Sequence, residues 1–244
     1  VGAAHPSIGP ALHGLRLGFS ALEPAAALLE QVLGLAPIPV VPPAAAGRPA
    51  RRHYALGGLR LEVRSASGLR GPGESRPANV DALQWRQDDL PHRRRHLATL
   101  GLAALDGAEL GCGAGLRLEA VETGACAVEL REPQDVVVTP PVPGPRLVAI
   151  DLRVRAPESV AVHWARLLGA PLGRDADGVP RLDVAPVPVR FVPASAFEGA
   201  GVDALVLAGA DARVTAQRAA AHGLPVEGDG SWIAAGLRVR HSRR

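Results

Sequence analysis

Methionine and lysine are both absent from the 244 residues, so all 27 basic side chains are arginines. Aromatic residues make up only 3 %, and cysteine occurs twice. Cys112 and Cys126 have neither C-x-x-C spacing nor a histidine at zinc-finger spacing, which excludes the common cysteine metal motifs. Reduced, structural thiols flanking a hairpin are expected. No apolar run approaches the roughly 18 residues of a membrane span, and Val1 to Pro10 lack the charged-then-apolar order of a secretion signal. A bacterial cytoplasmic protein with no membrane partner is the expectation. Ala, Gly, Pro and Arg in abundance without Lys point to a GC-rich genome. The pI of 9.6 reflects arginine in place of lysine, because the formal charge is only +3. The one basic triplet, Arg93-Arg94-Arg95, reads as a solvated helix face, and no motif supports a nucleic-acid partner. A Gly-x-Ser-x-Gly turn, a Walker loop and a dinucleotide fingerprint are also missing, and Gly111-Cys112-Gly113 reads as a turn.

What is present is a repeat. Four segments share an alternating strand, an amphipathic helix opened by Pro or an acid, and a Gly stop. They run Leu15 to Phe19, Glu23-Pro24, Leu33-Gly34-Leu35; Leu83 to Arg86, Asp89-Leu90-Pro91, Leu100-Gly101-Leu102; Ile150 to Val154, Pro157-Glu158, Leu168-Gly169-Ala170; and Leu205 to Leu207, Asp211, His222-Gly223-Leu224. Alternation marks half-buried strands. Pro is tolerated in a first helical turn, where its missing N–H has no partner anyway. Gly supplies the left-handed C-terminal cap. Gly58-Leu59-Arg60-Leu61-Glu62 recurs as Gly115-Leu116-Arg117-Leu118-Glu119, and Val80-Asp81-Ala82-Leu83 as Val202-Asp203-Ala204-Leu205. The chain therefore divides into a first half over 1–138, with modules near 10–68 and 79–132, and a second over 146–244, with modules near 146–195 and 202–244. The Pro-rich stretch 139–145 is a stiff linker between them.

Strand, helix ending in Leu-Gly-Leu, then three strands, repeated in pairs, resembles the vicinal oxygen chelate superfamily of glyoxalases, bleomycin-resistance proteins and extradiol dioxygenases. The resemblance covers nearly the whole chain. It implies an α+β fold of four βαβββ modules in two tandem halves with curved mixed sheets. It also implies a divalent metal held by a residue on each first strand and a Glu on each last strand. Alignment through the Leu-Gly stops places the first-strand positions at Gly14, Ala82, Ala149 and Ala204, none of which has a ligating side chain. The last-strand positions fall at Glu62, Glu119, Val192 and Arg240. His13 lies one residue from the expected ligand, and without a bulge its side chain points away from the cup. His92 and His96 share a helix face, without the Glu-x-x-His context of a metal site.

Parity assigns Leu15, Leu17 and Phe19 to the helix side and Arg16 to the cup. Arg60, Glu62, Gln84, Arg86, Arg117 and Glu119 join Arg16 there, and Asp151, Arg153, Arg190, Arg238 and Arg240 line the second cup. Trp85 has helix-facing parity, Trp232 is a candidate flat wall, and Tyr54 a candidate polar contact. Arginine forks suit carboxylate or phosphate. One reading is a binding protein for a small anionic molecule, with no cofactor and Arg16, Arg60, Gln84, Arg86, Arg117, Arg153, Arg190 and Arg238 as candidates. The alternative is a lyase, isomerase or dioxygenase with one divalent ion on Glu62, Glu119 and His53. A third is a paralogue acting through dimer contacts. A monomer or homodimer fits all three.

Overall fold

The computed structural model describes residues 10–19, 21–39, 51–65, 80–107, 115–132, 144–195, 199–234 and 237–242. Cys112, Gly111, Gly113, the stretch 67–78 and most of the Pro-rich stretch lie outside these residues.

The first half runs β1 (Ala11–Phe19), α1 (Leu22–Gln31), β2 (Pro37–Ile38), β3 (Arg51–Leu56), β4 (Leu59–Ser65), β5 (Val80–Arg86), α2 (Leu90–Thr99), β6 (Leu105–Asp106), β7 (Leu116–Leu118), α3 (Ala120–Thr123) and β8 (Ala127–Arg131). The second runs β9 (Arg146–Val154), α4 (Pro157–Leu168), β10 (Leu172–Arg174), β11 (Pro180–Leu182), β12 (Val189–Pro193), β13 (Gly201–Ala208), α5 (Ala212–Ala221), β14 (Trp232–Ala234) and β15 (Leu237–His241). Each half forms its own mixed sheet, in the orders β2-β3-β4-β1-β5-β8-β7-β6 and β10-β11-β12-β9-β13-β15-β14. In each, the first strand of a module is parallel to its last strand, and the two first strands meet antiparallel at the centre. The predicted tandem α+β architecture is thus observed.

The Gly stops act as expected. Gly34, Gly101, Gly169 and Gly223 follow the four long helices with φ of 69°, 74°, 65° and 71°, a region closed to most side chains. Asp89 and Asp211 cap α2 and α5 by accepting from backbone N–H groups of the first turn.

Two modules depart from the simple pattern. In the second, Leu116–Leu118 is the penultimate strand; the one-turn α3 follows, and β8 closes the module. In the fourth, two strands follow the helix among the described residues, and the third is reduced to one bridge between Val226 and Trp232. The segment before β14 begins at Pro225, which has no N–H to donate, and turns at once through Glu227 and Gly230, leaving no length for a ladder.

Alternation puts Leu15, Leu17, Leu61, Leu83, Trp85, Val128 and Leu130 in the core. The helix-side faces of the two halves meet, with Leu17 and Phe19 of β1 lining an apolar cleft with Leu205, Leu207 and Trp232. Polar caps join the halves as well. Arg93 Nη1 donates to Leu167 O at 3.3 Å, and His96 Nε2 lies 2.9 Å from Arg166 O, so two basic groups of α2 meet the open carbonyls ending α4. The solvated face expected for Arg93 and His96 is therefore half-buried instead; Arg94 pairs with Asp106. Trp164 of α4 donates to Thr123 O at 2.9 Å and packs edge-on against Phe191.

Candidate functional site: the polar faces of the two sheets

Cross-strand register sets the polar face of the first sheet. Arg16 on β1 lies opposite Glu62 on β4, His53 on β3 opposite the same Glu62, Gln84 on β5 opposite Glu129 on β8, and Arg117 on β7 opposite Glu129. All six are buried polar residues. Arg16 Nε lies 3.1 Å from Glu62 Oε1, and its Nη1 contacts Glu129 Oε1. One guanidinium thus bridges two buried carboxylates on the two last strands. Glu129 further receives Arg117 at 2.8 Å, Arg131 at 3.2 Å and the Gln84 amide at 3.2 Å.

Burial alone drives carboxyl groups toward the neutral form, yet both glutamates are held below the usual carboxylate range. At Glu62 the adjacent His53 ring and the Arg16 charge overcome burial; at Glu129 the charges of Arg16, Arg131 and Arg117 do so.

The last-strand carboxylate of the second module is therefore Glu129, not Glu119. Glu119 follows the penultimate strand, caps α3 by position and pairs with Arg117 at 2.6 Å. The misassignment followed the Leu-Arg-Leu-Glu echo of residues 59–62. The correct signal was the alternation Ala127-Val128-Glu129-Leu130-Arg131 directly after Gly124.

His13 does face the polar side. Leu12 pairs with Trp85 and Gly14 with Gln84, so His13 is the extra residue of a bulge. The groups that act on its charge are Arg131, Arg60, Arg86 and Glu129, all on the polar face. Burial and those arginines depress it to about 4, and neither ring nitrogen has a hydrogen-bond partner among the described residues. Asp81 and Asp203 are extra residues of matching bulges in β5 and β13. Asp81 meets Arg64 and Arg117; Asp203 meets Arg153 at 2.9 Å and Arg238 at 3.6 Å.

The second sheet repeats the central arrangement with the charges exchanged. Asp151 on β9, fully buried, stands at the position of Arg16. Arg240 on β15 donates to its Oδ2 at 3.1 Å, and Arg190 on β12 lies 3.4 Å from its Oδ1. Arg190, not Val192, thus takes the place of Glu62, and Arg240 that of Glu129. Burial, with Asp203 nearby, raises Asp151 despite the two arginines.

The predicted arginines separate into two groups. In the second sheet Arg153, Arg190, Arg238 and Arg240 all have carboxylate partners, supplied by Asp203, Asp175, Glu227 and Asp151. In the first sheet Arg16 and Arg117 are paired, whereas Arg60 and Arg86 have no carboxylate within ion-pair distance among the described residues, nor has Arg51, which stands two residues before His53 on β3 and was not among the predicted arginines. Arg60 Nη2 instead lies 3.1 and 2.9 Å from the two ring nitrogens of His53. Tyr54 is on the helix side, where its hydroxyl donates to Glu30 at 2.8 Å and burial pushes it up to about 12. Trp85 and Trp232 are core residues.

A divalent ion bridging Glu62 and Glu129 would lie where the Arg16 guanidinium lies. A dication about 4 Å from that group meets a repulsion of roughly 8 kcal/mol at an effective dielectric of about 20. His53 Nε2 stands 3.6 Å from Glu62 Oε2. Among the described residues no three His, Cys, Asp or Glu side chains converge closely enough to hold a metal.

No family model and no curated protein matches the sequence. Solved structures do match the fold. A Mn(II)-bound glyoxalase from Novosphingobium aromaticivorans superposes with a TM-score of 0.67 at 14 % identity, over 96 % of this chain and 82 % of that one. A 2,3-dioxygenase from a Pseudomonas species gives 0.61 at 15 % identity, over 99 % and 94 %. A variant of 4-hydroxymandelate synthase from Streptomyces coelicolor gives 0.60 at 16 %, over 89 % and 76 %. By topology rather than by sequence, the chain has the fold of the vicinal oxygen chelate superfamily.

Proposed function

We propose that this chain is a metal-independent binding protein of that fold, taking a small anionic molecule on the polar face of its first sheet. The observation behind this reading is the arrangement of arginines. Arg16 satisfies the two carboxylates that would otherwise ligate an ion, leaving Arg51, Arg60 and Arg86 as positive charge without ion-paired carboxylates among the described residues. Half-buried arginine forks desolvate at a cost that a carboxylate or phosphate ligand offsets with bidentate, charge-assisted hydrogen bonds. The second sheet, charge-matched throughout its predicted arginines, supplies the counterpart that needs no ligand.

A panel of small carboxylates, phosphates and neutral analogues, screened by thermal shift on chelator-treated protein, tests the reading. Stabilisation by anions alone, lost in Arg60→Gln, supports it. Equal stabilisation by neutral analogues, or an absolute requirement for an added divalent ion, contradicts it. The latter result would favour the metal-dependent alternative, with Glu129 in place of Glu119 beside Glu62 and His53.

A further inference from the structure

We infer that His13, Arg60, Arg86 and Arg131 form one subsite for a compact, doubly charged oxyanion group, such as a phosphate ester or a small dicarboxylate. This rests on the anion-binding reading above and gives it a place and a ligand class.

The β1–β5 bulge brings the four together. Gly14, next to the bulged His13, pairs with Arg60 on one side, and Ala11 pairs with Arg86 on the other. Arg86 in turn pairs with Arg131 on β8. Four side chains from four strands thus surround one end of the polar face. Gly14 lets the strands close here: a Cβ at that position would lie 2.8 Å from both Arg60 O and Gln84 Oε1.

Two features separate this corner from an ordinary solvated arginine face. Its ring nitrogens are enclosed without a partner among the described residues, although a neutral ring presents one donor and one acceptor. A buried polar group left so is destabilised until a bonding partner arrives. Its charge is also unbalanced in one direction. Glu129 acts on His13, but it is already engaged by Arg16, Arg117 and Arg131. Arg60 and Arg86 remain, two positive charges without an ion-paired carboxylate among the described residues. A dianion neutralises both. His13 is kept neutral by burial and by the surrounding arginines, so it adds an N–H donor without adding repulsion between cations.

Sulfate and malonate serve as the probes, one tetrahedral and one dicarboxylate, at constant ionic strength. Binding is followed by calorimetry and by the His13 ring resonances in wild-type protein. Arg60→Gln and Arg86→Gln should each weaken binding about tenfold or more, the scale of a hydrogen bond to a charged group. His13→Leu should weaken it on the order of tenfold, and His13→Gln, which keeps an N–H donor, should recover most of that loss. The surface variant Arg174→Gln should bind as wild type. Malonate binding without sulfate binding narrows the ligand to carboxylates, and the reverse to tetrahedral anions; either supports the subsite. Anion binding indifferent to all three positions would overturn the subsite and leave the broader reading standing. Failure of both probes to bind folded wild-type protein would overturn both.

Discussion

Replacing Arg16 with Met keeps much of the volume and removes the guanidinium from between two buried carboxylates. The consequences for the two are unequal. Glu129 retains Arg117 at 2.8 Å, Arg131 at 3.2 Å and the Gln84 amide. Among the described residues Glu62 retains His53, with Nε2 at 3.6 Å, and the more distant Arg60 and Arg51. Breaking a buried pair from one side costs about 3–5 kcal/mol. With one of the two carboxylates still well paired, about 3 kcal/mol is expected. For a chain of this size that is a fall in Tm on the order of 10 °C. Urea denaturation at neutral pH gives the free energy directly. The double replacement of Arg16 by Met and Glu62 by Gln should recover most of the loss, because Glu129 keeps Arg117 and Arg131 and the carboxylate that lost its cation is now neutral. Arg16→Met should also gain affinity for Mn(II), read as a metal-dependent rise in Tm absent from wild type. A loss below about 1 kcal/mol, the range of exposed pairs, would refute the buried bridge.

Gly14→Ala should destabilise by about 1–3 kcal/mol, since its Cβ meets a backbone carbonyl that cannot rotate away; the urea midpoint reads this. Glu62 and Glu129 are depressed in the folded state, so their stabilisation is complete above the ordinary value of 4.5 and is lost as pH falls below it. The midpoint should therefore decline below about pH 6.5, where the depressed His13 is protonated only in the unfolded chain, and drop further below 4.5, that second drop being less steep in Glu62→Gln. Asp151→Asn should cost less than Arg16→Met, because burial already disfavours ionised Asp151 and Arg190 keeps Asp175; parallel urea titrations decide. Arg93→Ala should cost about 1–2 kcal/mol by leaving the Leu167 carbonyl open at the end of α4, measured in the same way.

The repeat was legible because its punctuation is local. Pro or an acid before each helix and Gly after it follow from the chemistry of single turns. Alternation then assigned the core leucines and the polar arginines correctly. What escaped depends on counting. A bulge of one residue reverses parity, so His13 was turned to the wrong face and the bulged placements of Asp81 and Asp203 went unseen. Leu12 and Leu15, both buried with two residues between them, mark the break in period. Glu129 was missed because the inserted turn α3 lengthens the second module, and a four-residue echo matched the wrong strand. Pairing was the other gap. Sequence places Arg16 and Glu62 on one face, but that Arg16 reaches a second glutamate 113 residues away depends on the β1–β5 junction. The exchange of charges between the sheets likewise appears only once Asp151 is set beside Arg190 and Arg240. The arginine cap from α2 to α4 joins two halves whose contact no periodicity describes.

The replacement of an ion by Arg16 is tested most directly by loading wild-type protein with Mn(II), Fe(II) or Zn(II), desalting, and measuring the metal retained per chain. Retention far below one equivalent in wild type, with clear gain in Arg16→Met, is predicted. One tightly held ion per wild-type chain, lost on mutation of Glu62 or Glu129, would contradict it.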